Sequence, residues 1–279
     1  MIFVSTSCVK NSKIRESVLE LAQNGFKNIE LSGGTDYYEG FEEDLIDLKE
    51  RFNLNYICHN YFPPPKDPFV VNLASLDDEV HQKTFDHLTG SLKLTEKLNC
   101  DIFGFHAGFY LNIPIREIGK EINKNVLFDK KLSFERFCKS YKELQSVSNV
   151  KLYIENNVIS YQNYTNFKEN FFMLTNKEEY LELSEKIDFE LLLDVAHLKV
   201  SCNSLNLDFE EELDFLMSKS NYIHISDNDS FADTNKAVHK DSHLYELLSK
   251  HSFKDKTVTL EVYDNIDSIK NTYELINNL

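Results

Sequence analysis

Tryptophan is absent from this chain and arginine is scarce: Arg15, Arg51, Arg116 and Arg136 are the only four in 279 residues. The formal net charge is −16. A surface that acidic repels phosphate backbones, so nucleic acid is not an expected partner. Long apolar runs are missing too. No stretch approaches the roughly 20 residues a membrane helix needs. The opening MIFVSTSCVK has no basic segment followed by a long apolar core, so neither a membrane span nor a secretory signal is expected. Cys8, Cys58, Cys100, Cys138 and Cys202 are odd in number, far apart and without a CxxC pair. That argues against a disulfide framework or a thiolate zinc site and for a reducing, cytoplasmic compartment. Repeats, low-complexity tracts and linkers are also lacking, so residues 1–279 are expected to form one domain.

What is present is a regular alternation. Eight short, apolar, β-branched or aromatic segments read as strands: 2–6, 28–31, 55–59, 102–106, 151–155, 190–194, 222–226 and 257–262. Most are near-continuous apolar runs, as parallel strands buried on both faces should be. Helical periodicity fits 12–24, 41–51, about 75–98, 131–147, 176–186, 208–219, 242–250 and 265–277. The third of these is expected to begin near Ser75, with Asp78 in a capping-box position. Strict β-then-α order implies a parallel sheet with right-handed crossovers. Eight strands in one unbroken alternation, over a length close to the typical ~250 residues, fit a closed (β/α)8 TIM barrel. No Gly-rich fingerprint follows the first strand, which weakens a dinucleotide-binding reading. Long connections follow strands 3, 4 and 5: the first contains Pro63, Pro64, Pro65 and Asp67-Pro68, and the others span about 107–130 and 156–175. All three lie at the barrel end where active sites sit.

The strand ends carry the chemistry. His59, His106, Glu155 and Asp194 close strands 3 to 6, and His197 follows Asp194 by three residues. His224 lies near the end of strand 7, Asp241 and His243 follow it, and Glu261 is on strand 8. Any one histidine there is more often a hydrogen-bonded structural residue, and any one carboxylate a helix cap. The group is harder to dismiss, because buried carboxylates need a cation or a proton to neutralise them. Imidazoles with carboxylates suit Zn, Mn, Co or Fe(II) better than Ca. His81, His87 and His251 read as ordinary helix-surface residues.

The pattern resembles the xylose-isomerase-like barrel superfamily, which includes sugar and sugar-phosphate isomerases and epimerases and endonuclease IV. The resemblance runs from His59 to Glu261. It implies four ligands for one divalent metal (Zn, Mn, Co or Mg): Glu155 in LYIEN, Asp194 in LLLDVAH, His224 in YIHISDND and Glu261 in TLEVYD. His197 falls where the superfamily contacts substrate. The segment HISDNDSFADTNKAVHKDSHL looks like the superfamily's His-x-x-Asp-Asn … Asp-x-His-Leu stretch, with His224, Asp227, Asn228, Asp241, His243 and Leu244 in place. It is longer than usual and lacks the Pro and Gly that normally follow His-Leu; His239 competes for the role of His243. VVNLAS (70–75) also resembles isomerase members. Likeness to endonuclease IV extends the ligand set to His59, His106, His197, Asp241 and His243, for up to three ions.

The expected activity is a divalent-metal-dependent isomerisation or epimerisation of a sugar or related polyol or keto compound through a metal-stabilised enediolate. Glu155, Glu261 and His197 are the catalytic candidates, and His59, His106, His197 and Asn228 the substrate-binding ones. Tyr61, Phe62, Phe109 and Tyr110 are candidates for packing on the sugar or simply on the rim. The rival expectation is a zinc-dependent phosphodiesterase of the endonuclease IV type, which the net charge and the scarcity of arginine oppose. A non-catalytic barrel that keeps the metal ranks third. Barrels of this kind often associate as homo-oligomers.

Overall fold

In the computed structural model, which describes Met1–Leu279, eight parallel strands close into one barrel in sequence order. They are β1 (Ile2–Ser5), β2 (Asn28–Leu31), β3 (Asn55–His59), β4 (Ile102–His106), β5 (Lys151–Glu155), β6 (Glu190–Asp194), β7 (Ser220–Ile225) and β8 (Thr257–Leu260). β8 pairs back onto β1, with Ile2 opposite Val258 and Val4 opposite Leu260. The chain is therefore a (β/α)8 TIM barrel. β8 stops at Leu260, so Glu261 is the first residue past its end, with its N–H bonded to the Ile225 carbonyl at 3.1 Å.

Ten helices surround the strands: α1 (Ile14–Gln23), α2 (Phe41–Phe52), α3 (Asp78–Lys97), α4 (Lys130–Gln145), α5 (Tyr161–Phe167), α6 (Lys177–Ser184), α7 (Val195–Leu205), α8 (Phe209–Met217), α9 (His243–Leu248) and α10 (Ile266–Asn277). α1 buries Ile14, Val18, Leu21 and Ala22, the stripe its periodicity marks. α3 begins later than expected. Asp77 is its cap, accepting from the N–H groups of Glu79 and Val80, while Ser75 Oγ accepts from the Asp77 N–H. Two helices have no amphipathic signature. α7 is buried nearly all round, including Val195, Ala196, Leu198, Val200 and Cys202, so it has no polar stripe to alternate with. α5 is one short, polar piece capped by Ser160.

Side chains alternate along each strand. One set faces the helices and forms the main core. The other points into the barrel, where Phe3, Ile57, Tyr153, Leu192 and Tyr222 form a separate apolar plug. Two residues on from four of these stand His59, Glu155, Asp194 and His224. The period of two thus lifts the polar residues into one layer directly over the plug, at the C-terminal end of the strands.

The three long connections share a small core of their own, with Val70, Phe109, Ile122, Phe167 and Phe172 among its members. Two asparagines brace it. Asn72 donates to the Phe109 carbonyl at 2.8 Å and accepts from the Phe109 N–H at 3.1 Å. Asn157 Nδ2 faces the carbonyls of Ala107, Gly108 and Met173 at 2.9, 3.0 and 3.0 Å. All five cysteines are free and buried, and no helix is long and apolar enough to cross a membrane.

Candidate active site

Strand register assembles the centre. His106 stands opposite Glu155 across β4 and β5, and Asp194 opposite His224 across β6 and β7. Glu155 is the hub. Its Oε2 lies 2.8 Å from His59 Nε2 and 2.9 Å from His106 Nδ1; its Oε1 lies 3.4 Å from His224 Nδ1 and 3.7 Å from His197 Nδ1. Glu261 Oε2 lies 3.6 Å from the same His224 nitrogen. Asp194 is both cap and site residue: one oxygen accepts from the His197 N–H at 2.7 Å, and the other lies 4.0 Å from His197 Nε2. His197 Nδ1–H donates to the Asn156 carbonyl at 2.9 Å, which aims Nε2 at Asp233 Oδ2, 3.4 Å away.

These contacts set the protonation. Burial alone would push the Glu155 carboxyl up, but the charges of His106 and His59 hold it well below the usual carboxylate range. Burial would push His224 and His197 down. Glu30 facing the first, and Asp194 with Asp233 facing the second, instead raise both well above the usual imidazole value. His59 is raised against its burial by Glu155. Asp194 is pushed up to about 7, by burial first and then by Asp233 and Glu155 against the lowering charge of His197.

Several buried atoms at this centre have no hydrogen-bond partner: Glu155 Oε1, Asp194 Oδ2 and His224 Nδ1. Unsatisfied groups at such depth call for an explanation. Three sets of ligand atoms, His59–Glu155–His224, His106–Glu155–His197 and Glu30–His224–Glu261, each fall within 4.8 Å of one another. Carboxylate and imidazole donors so arranged fit a divalent transition-metal ion.

A cavity of about 640 Å³ opens onto the cluster, lined by His59, His106, His197, Asp233, Glu261 and, among others, Ser7, Asn11, Tyr61 and Tyr263. Glu261, His59, His106 and His197 line this mouth, and Glu155, Asp194 and His224 are buried behind them, in contact with His59, His106, His197 or Glu261. Asp241 and His243 do not join them. Both are exposed, in the turn before α9 and at its first residue, and His239 is exposed on a different surface hollow. The physical reason is the longer β7–α9 connection. It folds Asp227 onto Lys236 through a reciprocal backbone pair and carries Asp233, not Asp241, to His197. Asn228 has both ends of its amide engaged, by the Ala196 carbonyl and the Ser230 N–H, and braces this loop. Phe62 is buried against Phe41, away from the mouth, and Tyr110 packs beside Lys130. His81 is bonded to Ser140 and His87 packs edge-on to Phe69, so neither is a plain surface residue.

Two participants escaped the sequence reading. Glu30, on β2, is fully buried, and its Oε2 meets His224 Nε2 at 3.0 Å, Thr259 Oγ1 at 2.9 Å and the Tyr222 hydroxyl. A carboxylate inside a strand otherwise reading as core was the available signal. Asp233 lies in an insertion whose path no local pattern dictates.

A profile described as xylose isomerase-like TIM barrel matches residues 18–269. No curated protein matches the sequence. Among solved structures, a D-tagatose 3-epimerase-like protein superposes with a TM-score of 0.72 at 15% identity, over 99% of this chain and 98% of its own. D-psicose 3-epimerase from Clostridium cellulolyticum gives 0.62 at 15%, over 99% and 94%. Endonuclease IV from Thermus thermophilus gives 0.61 at 13%, over 99% and 97%.

Proposed function

Because the chain belongs to the xylose isomerase-like TIM barrel family, we propose that it is a divalent-metal-dependent isomerase or epimerase of a small sugar or related polyol or keto compound. The observation that carries this reading is the set of unpartnered buried atoms, Glu155 Oε1, Asp194 Oδ2 and His224 Nδ1, behind a polar cavity that Glu261 lines. Glu155, Asp194, His224 and Glu261 would hold the ion. When bound, such an ion polarises a substrate carbonyl and offsets the charge that builds up as the neighbouring carbon loses its proton.

The chain's own groups do the rest. Glu261 faces the cavity and would take that proton; Glu155, which like Glu261 approaches His224 Nδ1 (3.4 and 3.6 Å), would be its acid–base partner. His197, held by the Asn156 carbonyl and Asp233, presents its Nε2 side to a substrate hydroxyl. His59 and His106 flank the other Glu155 oxygen, where a second ion or a substrate oxygen would sit.

The endonuclease IV-type reading is weaker. Asp241 and His243, two of the nine residues it requires, are exposed and line neither the mouth nor its neighbour. The net charge of −16 also opposes a DNA backbone. The test is incubation of metal-reconstituted protein with a panel of ketoses and aldoses in deuterium oxide. Deuterium appearing at a carbon beside the carbonyl, lost on chelation and in Glu261→Gln, is expected. No exchange on any member with Mn, Co or Zn, together with cleavage of an abasic-site duplex, would overturn the assignment.

A further inference from the structure

A second cavity, of about 340 Å³, adjoins the polar mouth, and Tyr61, His106, His197 and Asp233 line both. Its character is different. Val71, Phe109, Ile122 and Phe172 wall it, all of them buried members of the core or of the loop cluster. Ile118 and Phe231 stand at its edge and are among the few large apolar side chains the protein leaves exposed, at 38% and 54%.

Several of its polar residues are already engaged within the protein. Asn163 accepts from the Ile122 N–H and donates to the Lys120 carbonyl. Glu121 accepts from Gln162 and Asn166, and Asn157 is taken up by its three carbonyls. A hollow of this size is enough for a ring, and small-molecule sites begin at about 300 Å³. With these amides and Glu121 occupied internally and apolar side chains forming its walls, it favours hydrocarbon over hydroxyl away from the Asp233 side, where Oδ1 is unpartnered.

The structure assigns the substrate an apolar substituent: a polyol or keto head lies in the polar mouth while an aryl or branched alkyl group attached to it enters this second cavity. This rests on the metal-dependent reading above. Continuity through His106 and His197 is what ties the occupant to the substrate, since a group entering the second cavity meets the same imidazoles that face the reacting carbons.

The test uses zinc-loaded full-length protein and three hydroxamates, whose paired oxygens bind zinc: acetohydroxamate, benzohydroxamate and 3-phenylpropionohydroxamate. Calorimetry is expected to find at least one aryl member binding about tenfold or more tighter than acetohydroxamate, as burial of a phenyl group predicts. That ratio should fall towards one in Ile118→Asp and in Phe231→Asp, both rim positions whose side chains are exposed. Equal affinities across the series, or an aryl gain that survives both substitutions, would overturn the second-cavity assignment and leave the metal site standing. Failure of all three to bind zinc-loaded protein would overturn the metal reading, and this one with it.

Discussion

Glu30 Oε2 and His224 Nε2 meet at 3.0 Å across the barrel, although 194 residues separate them in the chain. The bond fixes which face of the ring points where. Nε2–H is directed at Glu30, so Nδ1 is left facing Glu155 and Glu261. Partners of this kind orient a metal-binding imidazole and raise its basicity. Glu30→Gln keeps the shape and removes the charge. It should weaken zinc binding about 10–100-fold, read by competition with a chromophoric chelator. Unchanged affinity in a folded variant would show that Glu30 serves packing alone.

Metal-free protein should lose stability as pH rises from about 4 towards 8. Asp194 is raised from 3.8 to about 7 in the fold, so its contribution is complete below 3.8 and disappears as pH climbs through 7. His59, His197 and His224 are all raised above 6.5, so theirs is present below 6.5 and is lost at higher pH. Glu155, held low, acts the opposite way, but only below its ordinary 4.5. Thermal unfolding in chelator should give a falling Tm across this window. Added zinc should reverse the trend, because binding displaces the same protons. A chelator-treated Tm that rises from pH 5 to 8 would contradict the proton assignment.

Gly104→Ala tests how tightly His59 is held. A Cβ there would come within 2.7 Å of His59 Cδ2 and 2.8 Å of Leu192 Cδ1. The imidazole must swing off Glu155 or the plug must shift, at about 1–3 kcal/mol, seen as a Tm several degrees lower. Gly108→Ala should be harsher, since its Cβ would lie 2.3 Å from Ala74 Cβ in the segment that Asn72 pins.

Thiol reagents should find nothing to react with in the native protein. All five cysteines are buried, and burial pushes Cys138 up to about 11 and Cys202 up to about 12. Labelling by a chromogenic disulfide should follow the rate of unfolding. A prompt phase of one equivalent would mark a local opening that the packing does not suggest.

The strands were readable in the sequence because a barrel strand is buried on both sides and announces itself by composition. Helices with one wet face, such as α1 and α10, were readable by period. α7 was not, because burial on all sides erases the period, and α5 was too short and polar. At the site, residues at strand ends such as Glu155 and Asp194 could be placed from strand boundaries alone. Glu30 sits one residue short of its strand's end, where only the inward phase of the alternation distinguishes it. Asp241 and His243 were placed by the spacing of related sequences, and the longer loop here moves a different aspartate into the mouth.

Asp194 has one oxygen tied to the first turn of α7 and its backbone clasped on both sides by Asn156. That carboxylate cannot rock between one-oxygen and two-oxygen attachment without uncapping the helix. Glu155 is equally immobile between its four imidazoles. Glu261 hangs past the end of its strand, steadied by Ser7 Oγ at 3.5 Å and His224 Nδ1 at 3.6 Å, so on the proposed metal-dependent reading any give among the four ligands falls to it. On that reading the barrel offers three fixed corners and one hinged one, and the hinged one faces the cavity.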